Sequence, residues 1–264
     1  MAGAPPLVRL VEDGPVAELI LDRPQAMNAL STAMLTQLTE TCRGLGRIEG
    51  LRAVVLSSSS DRAFCAGADL KERTSFGDAE LMAQRPLLRG AFAAVRSIEV
   101  PVIAAVAGYA LGGGFELALS CDLIVADETA VVGLPETSVG LVPGAGGTQL
   151  VAPRAGSGVA ADLILSARHV PASEAFQLRL VDRLVPRGES RATALQLARA
   201  IAANSPVAVR AAKRALRRGS GLPLAAGLEV EEAAWREVAT SPERAEGISA
   251  FVEKRPPRWR SGAG

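Results

Sequence analysis

The sequence predicts an α/β protein whose C-terminal part is built from helices alone. Short β-type runs alternate with helix-type segments up to about residue 190, and residues 101–106 form a run that is apolar on both faces. Such runs are typical of strands in a parallel sheet covered on both sides by helical crossovers. After about residue 190 only helix-type stretches follow, at 192–203, 206–218, 222–240 and 242–254. We therefore predict a core over residues 1–195 and a helical region over residues 196–264.

The elements of the core follow from local patterns. Residues 7–11 and 16–21 are β-type runs joined by the turn sequence Asp13-Gly14-Pro15. Ser31 can cap a helix that extends to about residue 45, with apolar residues at helical spacing. Residues 51–57 predict the next strand. A helix with apolar residues between 81 and 95 leads into the buried run 101–106, and residues 122–127 repeat that strand pattern.

The composition excludes several classes of protein. The chain has 264 residues, 29 Lys+Arg against 28 Asp+Glu, a net charge of +1 and 48% hydrophobic residues. These values fit a folded domain without overall charge steering toward nucleic acid or an anionic membrane. One histidine and three separated cysteines, Cys42, Cys65 and Cys121, offer no zinc-ligand spacing. We predict no metal site, and we interpret the cysteines as small buried residues that suit a reducing compartment.

The N-terminus and the apolar runs predict a cytoplasmic protein. The chain starts without a basic segment followed by an apolar stretch, which a secretory signal would need. The longest uncharged apolar run, residues 100–115, spans 16 residues and ends in three glycines. It is too short and too interrupted to cross a bilayer, so we expect no membrane segment.

Five cations recur on one predicted helical face of the C-terminal region: Arg210, Lys213, Arg214, Arg217 and Arg218. One interpretation is contact with an acidic partner, RNA or a phosphate-bearing ligand. The other is a solvated face whose last cations stabilise a helix C-terminus. We favour the solvated face, because the stripe is short and has no interleaved aromatic residues, and we predict no nucleic-acid partner.

Residues 108–117 carry the strongest chemical signal. A buried strand ends, the chain passes through Gly112, Gly113 and Gly114, and a helix begins. The first N–H groups of a helix lack internal partners and can hold an anion, although the glycines could equally serve tight packing alone. Residues 64–70 form a second turn of small residues, which by itself would be an ordinary loop. Paired with Gly113, a backbone N–H at Ala68 would supply the second donor of an oxyanion hole.

Two acidic residues are candidates for proton transfer. Glu116 lies in the first turn of the glycine-led helix, where the helix dipole favours its ionised form and thus a basic role. The same dipole preference also explains Glu116 without any chemistry. Glu136 follows the strand pair predicted around Ile124 and Val131, and it could be an ordinary loop acid. The two are 20 positions apart, so no helical spacing brings them together and only the fold could do so.

The chain resembles the enoyl-CoA hydratases of the crotonase superfamily. The matching motifs occur in order over nearly the whole length: ILDRP (20–24), NAL (28–30), AGADL (66–70), GGGFELA (112–118), PE (135–136), PGAGGTQ (143–149), SP (205–206) and EGISAF (246–251). This resemblance implies a crotonase-like spiral of repeated ββα units. It also implies a C-terminal helical region used for trimerisation, and hence a homotrimer or a homohexamer.

The resemblance also implies a mechanism. Ala68 and Gly113 match the oxyanion-hole positions that receive the thioester oxygen of a 2-enoyl-CoA. Glu116 and Glu136 match the pair that holds a water: Glu116 would help to deprotonate it, and Glu136 would deliver a proton to the α-carbon. Gly144 matches a position whose N–H helps to place that water.

Six further residues match positions that contact coenzyme A in the family: Ala26, Ala66, Asp69, Leu70, Phe251 and Lys254. The last two would reach the nucleotide bound to a neighbouring subunit. Coenzyme A is part of the substrate, so no separate cofactor is expected.

The presence of both acids favours syn addition of water over isomerisation. Isomerases of this family typically keep an acid at the position of Glu136 but not at that of Glu116. Another crotonase-type reaction, isomerisation or hydrolysis, is the alternative within enzymes. Binding of RNA or a protein partner through the basic stripe is the alternative from another class, and a catalytically idle scaffold is disfavoured by the two acids.

Overall fold

The computed structural model describes residues 5–259, and within them the strands form two sheets. The large sheet has the order β1-β2-β3-β5-β7-β10, and the small sheet has the order β4-β6-β8-β9. The strands are β1 (Val8–Asp13), β2 (Val16–Leu21), β3 (Ala53–Ser58), β4 (Ala63–Cys65), β5 (Val102–Val106), β6 (Tyr109–Leu111), β7 (Leu123–Asp127), β8 (Val131–Gly133), β9 (His169–Pro171) and β10 (Arg183–Val185). The mixed α/β class predicted from the sequence is therefore confirmed.

The helices connect and cover these sheets. They are α1 (Thr32–Gly44), α2 (Leu70–Arg73), α3 (Asp78–Arg96), α4 (Gly113–Leu119), α5 (Gly147–Ala155), α6 (Ser157–Leu165), α7 (Ala172–Gln177), α8 (Ser190–Ala202), α9 (Pro206–Gly219), α10 (Leu224–Ala239) and α11 (Pro242–Val252). The predicted cap of α1 is present, because the Ser31 side chain accepts a hydrogen bond from the Met34 N–H.

The chain winds as a spiral between the two sheets. The successive pairs β3–β4, β5–β6 and β7–β8 each place their first strand in the large sheet and their second in the small sheet. Neighbouring turns pair in parallel, as β3 does with β5 and β6 does with β8. Only the hairpin β1–β2 and the pair β8–β9 are antiparallel among the described strands. The carboxyl ends of the strands are thereby followed by the turns that carry the candidate site.

The central strands β2, β3, β5 and β7 of the large sheet are buried on both faces. Alternate residues of β3 point to opposite sides, so that Val54 and Leu56 join the main core together with α1 and α3. Val55 joins a second cluster, which contains Ala194 and Ala198 of α8. Small residues on α8 let that helix lie close against the sheet.

The predicted boundary between residues 195 and 196 falls inside α8, and the division of the chain into two regions stays a prediction. This helix runs without a break from Ser190 to Ala202, and its alanines belong to the hydrophobic core. The helical region proper starts with α9, after Ser205, whose side chain caps that helix.

The basic stripe on α9 is not a solvated face, contrary to the sequence interpretation. Lys213 is only 8% exposed, and its Nζ lies 2.8 Å from the Asp122 carboxylate and donates to the Val100 carbonyl. Arg217 binds the same carboxylate at 2.8 Å, and Arg214 pairs with Glu237 of α10. Three of the five cations are thus paired with carboxylates of this chain, and Lys213 and Arg217 anchor α9 to the core.

The three cysteines are buried, as the sequence analysis interprets them. Cys42, Cys65 and Cys121 are free and buried, and burial raises the pKa of the Cys42 and Cys65 thiols to about 12. Within residues 5–259, no helix is both long enough and apolar enough to span a bilayer. The same part of the chain contains no cluster of three His, Cys, Asp or Glu residues that could hold a metal ion.

Candidate active site

The site is built around the first turn of α4. Strand β6 leads through Gly112 into this helix, and Gly112 has a φ of +52°, a conformation that favours glycine. Its N–H donates to the Gly133 carbonyl at 2.8 Å, which ties the turn to the end of β8. A Cβ on Gly114 would lie 1.9 Å from the Cys65 carbonyl oxygen, so the helix start packs tightly against β4. The glycines therefore serve close packing as well as exposing the helix N-terminus.

Ala68 and Gly113 are brought together at this point. A Cβ placed on Gly113 would lie 3.8 Å from the Ala68 nitrogen, and one placed on Gly67 would lie 3.4 Å from the Gly113 nitrogen. Leu30 binds on either side of Ala68: its N–H donates to the Gly67 carbonyl, and its carbonyl accepts from the Asp69 N–H.

Among the described residues, neither the Ala68 N–H nor the Gly113 N–H donates to a protein acceptor. Two free backbone N–H groups side by side can donate hydrogen bonds to the oxygen of a carbonyl group that gains negative charge.

Glu116 lies one turn into α4 and is held by a loop from far along the chain. Its side chain is buried, with 2% exposure, and Oε1 accepts from the Ala145 N–H and from the Gly147 N–H, each at 2.7 Å. An ionised carboxyl group only accepts hydrogen bonds, which suits a site that offers two N–H donors.

Glu136 reaches the same turn from the other side. It lies in the short turn Pro135–Val139, and its Oε1 is 3.0 Å from the point where a Cβ on Gly112 would sit. Its Oε2 is buried and has no hydrogen-bond partner among the described residues. Burial raises the pKa of Glu136 to about 7, and the negative charge of Glu116 adds to the shift. The fold thus brings the two acids into electrostatic contact, and the raised pKa of Glu136 favours its protonated form below about pH 7.

Gly144 lies beside these groups. Its carbonyl oxygen accepts from Arg85 of α3 at 2.9 Å, and the next residue, Ala145, donates to Glu116. Sequence reasoning missed Ala145, Gly147 and Arg85. The glycine-rich run 144–147 was the only signal for the first two, and nothing local indicates Arg85, which lies 59 positions away from Gly144.

Four of the predicted coenzyme A positions lie in two adjoining loops. The Ala66 N–H donates to the Met27 carbonyl, next to Ala26, and Asp69 forms a 2.5 Å ion pair with Arg23. The Asp69 carboxylate also caps α2, so this side chain is already engaged within the chain. Leu70 is 56% exposed at the start of that helix.

Phe251 and Lys254 are not brought to this site. Phe251 is 86% exposed at the end of α11, and Lys254 follows that helix. Within residues 5–259, no hydrogen bond or ion pair joins either residue to the loops around Ala26 and Ala68. Their predicted role in a neighbouring subunit's site stays a prediction.

Comparison with known proteins places this architecture among acyl-CoA enzymes. A family model described as enoyl-CoA hydratase/isomerase matches residues 12–262. A 2,3-dehydroadipyl-CoA hydratase of Escherichia coli is 42% identical over 243 residues, covering 92% of this chain and 94% of the relative. A mitochondrial methylglutaconyl-CoA hydratase of mouse is 37% identical over 253 residues, covering 94% of this chain and 81% of the relative.

Solved structures agree with the sequence match. The crystal structure of an enoyl-CoA hydratase from Bacillus anthracis superposes with a TM-score of 0.95 at 37% identity, covering 97% of this chain and all of the other. Fold and site together define an enzyme of the crotonase superfamily. The chain belongs to the enoyl-CoA hydratase/isomerase family.

Proposed function

We propose that the protein adds water across the 2,3 double bond of a 2-enoyl-CoA thioester, in the syn sense, to give a 3-hydroxyacyl-CoA. The observation that carries the proposal is the contrast between the two acids. Glu116 accepts two backbone N–H groups, as a base does, whereas Glu136 has a buried, unpartnered oxygen and a pKa of about 7, as an acid does. Family relatives named as hydratases support the same reaction.

The chemistry follows from these positions. Glu116 takes a proton from water as the water oxygen bonds to C3 of the substrate. The electron pair of the double bond moves toward the thioester carbonyl, whose oxygen binds to the N–H groups of Ala68 and Gly113. Protonated Glu136 then donates its proton to C2. Proton exchange with solvent returns Glu116 to the ionised form and Glu136 to the protonated form.

The test is the hydration of pure trans-2-enoyl-CoA substrates of several acyl lengths. The reaction is monitored by the loss of the absorbance of the conjugated thioester. We expect turnover, with formation of a 3-hydroxyacyl product that mass spectrometry finds heavier by one water. Movement of the double bond without added water would instead indicate an isomerase, and release of free coenzyme A thiol would indicate a hydrolase. No turnover with any chain length would refute the proposal.

A second arm of the test uses the acids. Glu116→Gln and Glu136→Gln should each nearly abolish hydration, because each positioned proton transfer contributes roughly 10²–10⁴ in rate. Binding of a saturated acyl-CoA, measured by calorimetry, should remain close to wild type. Wild-type turnover in either variant would contradict the assigned roles.

We also propose a homo-oligomer, a trimer or a hexamer, assembled through the helical region. Large apolar side chains are exposed on α9, α10 and α11: Leu216, Leu224, Trp235, Ile248 and Phe251. Burial of such residues is a usual driving force for association. Sedimentation velocity should give a mass of three or six chains, and a monomer at micromolar concentration would refute the assembly. The cytoplasmic location stays a prediction from the sequence.

A further inference from the structure

We infer that Arg85 and Arg96, both on α3, are positioning residues that hold Glu116 in place through the loop 144–147. The inference rests on the hydration reaction proposed above. It adds to the candidate site two residues that, within residues 5–259, form no hydrogen bond with either reacting carboxyl group. Three contacts carry it.

One peptide group links Arg85 to Glu116. The carbonyl oxygen of the peptide between Gly144 and Ala145 accepts from Arg85 Nη2 at 2.9 Å. The N–H of that same peptide donates to Glu116 Oε1 at 2.7 Å. A hydrogen bond to the oxygen of an amide polarises its N–H and strengthens the bond that the N–H makes. The guanidinium charge therefore acts on the carboxylate through a rigid, planar group.

Arg96 binds the next peptide and the helix that carries Glu116. Its Nη1 lies 3.4 Å from the Ala145 carbonyl oxygen and 3.2 Å from the Ser120 Oγ. The Ser120 hydroxyl in turn donates to the main-chain carbonyl of Glu116 at 2.9 Å. Arg96 thus contacts both the loop that holds the Glu116 side chain and the backbone that presents it.

The contacts of both arginines with the loop 144–147 depend on the glycines of that loop. A Cβ on Gly144 would lie 2.4 Å from Arg85 Nη1, so a larger residue there would displace the guanidinium. Gly146 has a φ of +135°, a conformation that L side chains rarely adopt. The loop is therefore shaped to turn N–H groups toward Glu116 and carbonyl oxygens toward α3.

Within residues 5–259, neither arginine forms an ion pair with a competing carboxylate. Both line a cavity of about 1010 Å³, together with Arg89, which is exposed. Arg89 makes no hydrogen bond to the loop within residues 5–259. It is therefore a matched control, since it shares the helix, the charge and the cavity but not the contact.

The experiment compares Arg85→Gln and Arg96→Gln with Arg89→Gln in steady-state hydration. We expect kcat to fall about tenfold or more in the first two, with KM within about twofold of wild type, because an interaction needed only for the chemical step is lost. Arg85→Lys and Arg96→Lys should recover part of kcat, and Arg89→Gln should match wild type. Thermal unfolding of each variant shows whether it is folded.

A double-mutant cycle tests the route through Glu116. In the Glu116→Gln background, Arg85→Gln should reduce the residual rate by much less than it does in the wild type, because coupled residues are not additive. Full additivity would overturn the inference. So would an unchanged kcat, or a raised KM with kcat unchanged, which would make the arginine a substrate-binding residue, for example for an acidic acyl tail.

A readout without turnover separates this inference from the proposed reaction. Backbone amide exchange at Ala145 and Gly147, measured by NMR, should be faster in Arg85→Gln and Arg96→Gln and unchanged in Arg89→Gln. If the wild type hydrates no enoyl-CoA, the proposed function fails and amide exchange still decides the inference. Unchanged exchange in all three variants would refute it.

Discussion

Activity should fall above neutral pH because Glu136 must carry the proton that it delivers to C2. Burial, with a contribution from the charge of Glu116, raises the pKa of Glu136 from 4.5 to about 7. With that pKa, Glu136 is protonated in about nine tenths of the free enzyme at pH 6 and in about one tenth at pH 8. We therefore expect kcat/KM to fall about tenfold from pH 6 to pH 8, and about tenfold for each further unit, since kcat/KM reports the free enzyme.

The assay is the initial rate of enoyl thioester loss at substrate concentrations well below KM, across pH 6–9 at constant ionic strength. Enzyme incubated at pH 9 and returned to pH 6 must regain full activity, so that denaturation is not mistaken for titration. NMR titration of the labelled Glu136 carboxyl carbon gives the pKa independently. A profile that stays flat over this range, with a carboxyl group that titrates near 4.5, would refute the assignment of Glu136 as the acid.

The neighbouring charge adds a second check on the same reasoning. Glu116→Gln removes a negative charge that favours the protonated form of Glu136. The pKa of Glu136 in that variant, measured by the same NMR titration, should therefore be lower than in the wild type. A pKa that rises or stays the same would mean that the two carboxyl groups do not interact.

Three further results are expected. Because the pKa of Glu136 is raised in the folded state, the free energy of unfolding should decline as pH rises from about 4.5 to about 7. Glu136→Gln should remove this pH dependence, measured by urea unfolding at several pH values. A variant with the same pH dependence as the wild type would contradict this. Gly113→Ala puts a methyl group 3.2 Å from Leu30 Cδ1 and beside the two N–H donors of the oxyanion hole. We expect kcat to fall about 10²-fold, as on loss of one donor, while the melting temperature changes little. An unchanged kcat would count against an oxyanion hole at this position. Lys213→Met removes a buried cation from Asp122, although Asp122 keeps its ion pair with Arg217. The free energy of unfolding, measured by urea titration, should drop by about 2–3 kcal/mol. A change below about 0.5 kcal/mol would show that the ion pair between Lys213 and Asp122 does not anchor α9.

The long elements could be predicted from the sequence because each carries its own local signal. The predicted strand at 16–21 is observed as β2, and the helix predicted from Ser31 to about residue 45 is observed as α1, from Thr32 to Gly44. Apart from the strand around Val131, which is observed as β8, the small sheet could not be predicted in this way. Its strands β4, β6, β8 and β9 have three residues each, which is too short for a periodic pattern, and they are defined by pairing with distant strands.

The site shows the same division between local and distant information. The start of α4, with Gly113 and Glu116 in its first turn, could be predicted from the glycine run, because a strand-to-helix turn is a local feature. The meeting of Glu116 with Glu136 could not, since no periodic spacing connects positions 20 apart. The role predicted for the Gly144 N–H stays a prediction, and the structure adds that the Gly144 carbonyl oxygen accepts from Arg85. The loop sequence does not indicate that contact, because Arg85 lies 59 positions away from Gly144.

The basic stripe shows why charge pattern alone misassigns such residues. Arg217 donates to the Arg96 carbonyl at the end of α3, to the Ser120 carbonyl at the end of α4 and to the Asp122 carboxylate. Cations at helical spacing usually indicate a solvated face. Here Arg217 instead donates to carbonyl oxygens at two helix C-termini, where such groups have no partner within their own helix. Since α3 carries Arg85 and Arg96 and α4 carries Glu116, the C-terminal helical region is fastened to the two helices that form the candidate site. These contacts of Arg217 therefore link the helical region to the geometry of the candidate site.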